Sequence, residues 1–120
     1  MNDSVKLFNR IATKLGYPDL LFMGRDTEFI TRKRIIRVYL VRRYKFKSIQ
    51  LERQFKDYEG FNHSNINNDI NRFDDFINLG DRYYVDIAKQ VLEACEFVDT
   101  YKYSETENEF ENEEQLISNT

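Results

Sequence analysis

The stretch Gly60-Phe61-Asn62-His63-Ser64-Asn65-Ile66 decides how this chain is read. It is a short polar run closing on an apolar residue, and from there Ile66, Ile70, Phe73 and Ile77 recur at helical spacing. That pattern places the four on one face of an α-helix and Ser64, Asn68, Asn71 and Arg72 on the other. The helix is expected to start at His63 or Ser64. Its polar first turn is what a helix needs to reach base edges in the major groove of DNA.

Immediately upstream, Ser48 reads as the cap of a short helix carrying Leu51 and Phe55 inward, and the polar segment 56–62, which contains Gly60, breaks the pattern. The two helices with their break make a helix-turn-helix candidate, with Asn62, His63, Ser64 and Asn65 over base edges. Asn pairs with adenine through two hydrogen bonds, and His and Ser offer donors, acceptors and small apolar contacts.

Further out, Thr27 and Glu28 open a long helix ending near Tyr44, with Phe29, Ile36, Leu40 and Tyr44 on one face and Ile35 and Tyr39 widening it. Arg34 and Arg37, three apart, are expected to share an outer surface. Ser4 reads as the cap of a first helix containing Val5, Phe8, Ile11, Ala12 and Leu15, stopped by Gly16 and Pro18. Residues 17–25 read as an apolar connector or a short helical turn. Downstream, Gly80 ends the fourth helix and Asp81 caps a fifth that runs through Tyr84, Ala88, Val91, Leu92 and Cys95.

Charge sharpens the reading. The formal net charge is -3, but all 18 Lys and Arg lie in residues 1–102, and residues 103–120 hold six acids and no base. Between residues 32 and 56, Arg32, Lys33, Arg34, Arg37, Lys45 and Lys47 join four further cations against the single acid Glu52. Such a segment is a candidate footprint for phosphate. The acidic end reads as a solvated, disordered tail. The expected organisation is an all-α domain of about five helices over 1–102, followed by that tail over 103–120.

Several function classes are excluded by residue supply. Cys95 and His63 are the only cysteine and the only histidine, so the chain cannot assemble a disulfide framework or a Cys/His zinc site, and Cys95 reads as an inert buried thiol. The four glycines form no phosphate loop and no carboxylate pair is singled out. No enzyme and no cofactor are expected. There is no apolar run of membrane-spanning length and no secretion signal, which points to the cytoplasm.

Two motifs carry a family resemblance. The run from Gly60 to Ile66 is similar to a recognition-helix signature of approximately G-R-D-H-S/T-T-V, matching at Gly60, His63, Ser64 and Ile66. The run Arg34-Ile35-Ile36-Arg37-Val38-Tyr39-Leu40-Val41-Arg42 is similar to R-x-x-A-M-Y-L-x-R, matching at Arg34, Tyr39, Leu40 and Arg42. With Leu51 and Phe55 between them, residues 28–95 resemble the C-terminal DNA-binding domain, domain IV, of the bacterial chromosomal replication initiator DnaA. Phe61, Asn62 and Asn65 depart from that signature, and the turn before it is longer.

The resemblance implies a Trp-repressor-like helix-turn-helix bundle that binds double-stranded DNA. It implies base contacts for His63 and Ser64, a minor-groove role for Arg34, and phosphate contacts from Arg32, Lys33, Arg37, Lys45, Lys47 and Ser48. The initiator's nucleotide-binding domain has no counterpart here, so the expectation is a stand-alone module for transcription or replication control, of the kind a phage or mobile element encodes. A rival expectation is a protein-interaction module that acts on a replication or transcription protein, with the acidic tail as a docking segment. Asn62, Asn65 and the acids Asp57, Glu59 and Asp69 near the reading face favour that rival.

Overall fold

The computed structural model describes residues 3–24, 26–58 and 61–108. Every regular element among them is a helix: α1 (Asp3–Lys14), a 3-10 turn (Leu20–Phe22), α2 (Thr27–Arg42), α3 (Ser48–Gln54), α4 (His63–Leu79) and α5 (Arg82–Asn108). No helix among the described residues is long and apolar enough to cross a membrane.

The punctuation follows backbone chemistry. Gly16 (φ +94°) and Gly80 (φ +71°) hold the left-handed conformation that closes α1 and α4. In both places the next residue reaches five residues back, Tyr17 N–H to the Ala12 carbonyl at 2.8 Å and Asp81 N–H to the Phe76 carbonyl at 3.1 Å. These bonds satisfy carbonyls that a helix end leaves orphaned. Asp81 then caps α5, its carboxylate accepting from Tyr84 N–H at 2.9 Å. Ser4, expected as the cap of α1, is instead buried inside it, and its backbone N–H and hydroxyl both donate to the Gln54 side chain at the end of α3.

α2 is the central helix, packed on α1, α4 and α5, and Ile35, Ile36, Val38 and Leu40 on it are fully buried or nearly so. A helix surrounded on several sides carries no single apolar stripe. This explains the principal departure from the sequence reading: Arg37, expected on an outer surface beside Arg34, is only 5% exposed.

Two aromatic clusters organise the core. Phe8 of α1 meets Phe55 and Phe61 edge-on at 5.7 and 6.0 Å, while Phe55 and Phe61 stack with centroids 4.0 Å apart. On the opposite side of α2, Tyr39, Phe73, Tyr84 and Phe76 form a chain of ring contacts joining α2, α4 and α5. Phe76 takes the inner position expected for Ile77, which is 38% exposed. Cys95 is fully buried in α5, and burial pushes its thiol up to about 11, consistent with an unreactive thiol.

α5 continues to Asn108, so the boundary expected at residue 102 falls within a helix. Glutamate is a good helix former, and an acidic composition alone does not end a helix. The rest of the expected acidic tail, 109–120, lies outside the described residues, as does Glu59.

Candidate nucleic-acid interface

α3 and α4 are adjacent and separated by an eight-residue break, 55–62. Phe61 anchors the end of that break in the core at 3% exposure, and Asn62 follows in extended conformation. The Asn62 side-chain oxygen accepts from Asn65 N–H at 2.9 Å, so this residue is the N-cap of α4. Its amide group, with one oxygen lone pair, remains for other contacts. His63, Ser64 and Asn65 are exposed on the first turn.

Glu52 of α3 holds His63 in place. One carboxylate oxygen accepts from His63 N–H at 2.9 Å and lies 2.7 Å from the Nδ1 of its ring. Those contacts hold the Glu52 carboxyl below its ordinary range, so the clamp is present at neutral pH and is lost as pH falls through that lowered value. An ionised carboxylate only accepts, which assigns the proton to Nδ1 and leaves Nε2 outward as an acceptor in the neutral ring. Ser48 adds a second tie between the helices, its hydroxyl donating to Asn67 Oδ1 at 3.0 Å.

The cationic residues divide into two groups. Arg37 Nε donates to Asp69 Oδ2 at 2.7 Å, with its Nη2 at the same distance, and its guanidinium lies 4.7 Å from the Phe61 ring centroid. Arg42 forks onto Asp74 at 2.7 and 2.8 Å, and Arg43 onto Asp99 at 3.0 and 2.9 Å. Three cations of the basic segment are therefore matched by acids of α4 and α5. Tyr44 adds a bond from its hydroxyl to Asp99 at 2.7 Å.

The remaining expected site residues are spread around the molecule. Arg32 lies over the Tyr17 ring at 4.7 Å and donates to the Glu28 carbonyl at 3.1 Å, which turns it toward the α1–α2 connection. Lys33 donates to the Met23 carbonyl at 2.8 Å. Arg34 is 41% exposed, with Nε 3.6 Å from Asp69 Oδ1. Lys45 and Lys47 are exposed on the connection before α3, where Lys45 takes a left-handed backbone (φ 66°).

Asp69 is the residue that the sequence reading misplaced. Expected near the reading face, it is 4% exposed on the inner side of α4, three residues after Ile66. Burial pulls its carboxyl up and pulls the Arg37 guanidinium down, while Arg37, Arg34 and Arg72 favour its charged form. The helical offset from Ile66 was the available signal, since it puts Asp69 on the apolar stripe.

A cleft of about 750 Å³ opens beside this pair, between the 3-10 turn, α2, the α3–α4 connection and the early turns of α4. Asn65, expected over base edges, lies on its wall, and Asp57 lines it as well. Among the described residues no group of three or more His, Cys, Asp or Glu side chains could hold a metal ion. No family model, curated protein or solved structure matches the chain.

Proposed function

We infer that this chain is a sequence-specific double-stranded DNA-binding protein, a stand-alone module similar to domain IV of DnaA, with α3 and α4 as a Trp-repressor-like helix-turn-helix. One observation carries the reading: His63 stands exposed on the first turn of α4 with its ring oriented through Nδ1 by Glu52. A held imidazole presenting one fixed nitrogen is a group that discriminates bases, because a hydrogen bond that costs no reorganisation favours one edge pattern over another. Ser64 flanks it, Asn62 keeps an amide available, Lys45 and Lys47 supply exposed cations for the backbone, and the half-buried Arg34 is the candidate for the minor groove. Occupancy of a site by such a module is sufficient for transcription or replication control.

The test is selection from a random duplex library at near-physiological salt. The intact chain is expected to enrich a motif, and His63→Ala to lose about 10- to 100-fold of its discrimination against random DNA. Lys45→Ala is expected to weaken specific and random duplexes alike. Equal losses on both kinds of DNA for both variants would reject base readout by α4.

Glu52→Ala gives a separate prediction. Removing the acid that faces the reading turn is expected to raise affinity for random duplex while lowering the preference for the selected motif, measured by competition binding. A preference that survives Glu52→Ala unchanged means that the clamp does not orient the base contact.

A protein-interaction role is favoured by a different feature. Leu79 is 80% exposed, and Tyr83 and Ile77 are exposed beside it at the α4–α5 corner, at the far end of α4 from His63. That corner leaves the reading turn unobstructed.

A further inference from the structure

The cleft beside Asp69 has the volume of a small-ligand site. Its lining is of two kinds. One is apolar, with Phe22, Met23 and Tyr58. Phe22 is 77% exposed and meets Tyr58 edge-on at 5.6 Å, a large aromatic surface that the described residues leave uncovered. The other is cationic, with Lys33, Arg34 and Arg72 around the buried Arg37. Of the two acids present, Asp69 is already engaged by Arg37 and Arg34, so the cleft keeps a positive surplus. The amides of Asn65 and Asn68 complete the α4 side.

We propose that this cleft binds a nucleoside monophosphate, with the base on Phe22 and Tyr58 and the phosphate on Arg34 and Arg72. A nucleotide joins the three chemistries that the lining offers: a flat ring for the aromatic surface, a dianion for guanidinium forks, and a donor and acceptor edge for side-chain amides. Lys33 ties the two linings together through the Met23 carbonyl at 2.8 Å. Asn62, His63 and Ser64 are not among the lining residues, whereas Arg34 and Asn65 are, so a duplex that engages those two competes with the nucleotide for this cleft.

The source of the nucleotide is either the free metabolite or a splayed nucleotide of a single strand. Titration of the intact chain with deoxyadenosine monophosphate, followed by amide NMR, tests the site. Saturable shifts are expected at cleft residues, with affinity falling about tenfold or more in Phe22→Ala, in Arg72→Gln, and when deoxyadenosine or inorganic phosphate replaces the nucleotide. Both side chains are exposed, so these variants leave the core intact. A short oligodeoxyadenylate that binds tighter than the mononucleotide identifies a strand as the source, and one that binds more weakly identifies the free nucleotide. No saturable shift at about 10 mM nucleotide, unchanged affinity in both variants, or equal binding of phosphate alone overturns the proposal.

Discussion

Arg37→Met is expected to destabilise the protein by about 3–5 kcal/mol, because it strands the Asp69 carboxylate in the interior without its closest partner. The wild-type pair meets at 2.7 Å with both side chains nearly excluded from water. Arg34, 3.6 Å away and 41% exposed, is too distant and too solvated to replace it. The double variant Arg37→Met/Asp69→Leu is expected to recover most of the loss, since two apolar side chains need no compensating charge. The sign with pH is fixed by Asp69: burial raises its carboxyl, so the folded state takes up a proton before the unfolded chain does. The deficit of the single variant should therefore shrink as pH falls from neutral into the carboxylate range. Urea midpoints across that range measure this. A single variant within about 1 kcal/mol of wild type would show that water reaches the pair.

Phe61→Arg, which introduces the residue found at this position in the signature that residues 60–66 resemble, is expected to unfold much of the population at room temperature. Phe61→Ala alone should cost about 3–5 kcal/mol, because the ring is 3% exposed, stacked on Phe55 and capped edge-on by Phe8. An arginine there adds a buried cation with no carboxylate of its own beside the Arg37 guanidinium, which already lies over this ring. Against a total stability of about 5–15 kcal/mol, that is most of what a domain has. Far-UV circular dichroism and thermal melting read the outcome. A Phe61→Arg protein that melts with the wild type would show that position 61 turns outward. The departure at position 61 is thus a property of the scaffold beneath α4.

How much could be read from residue order depends on the range of the interaction. Gly16, Gly80, Asp81 and the buried Leu51, Phe55 and Ile66 act within a few residues of themselves, and the helices they start, stop or seat are found where spacing put them. Arg37 and Asp69 are 32 residues apart, and although the offset from Ile66 puts Asp69 on the apolar stripe, nothing local marks Arg37 as buried or pairs the two. Both types are ordinarily exposed, so residue type assigned them to the surface until the helices that cover them were in place. The His63–Glu52 contact spans 11 residues and two elements, and the acid that stood out as the one exception in a basic run proves to be the partner of the first turn of α4. The cleft was illegible for a different reason: it is a space, and its walls come from four separate segments.

The matching of Arg42 to Asp74 and of Arg43 to Asp99, added to the Arg37 pair, bears on how the molecule responds to its ionic surroundings. Each of these cations carries its own counter-charge from α4 or α5, so it holds no mobile ion that a docking polyanion could release to bulk solution. Ion release gives such association its steep dependence on salt. The long-range pull of the segment 32–56 is accordingly that of a smaller cluster than its ten cations suggest, and its attachment to any polyanion should withstand rising ionic strength better than its composition implies.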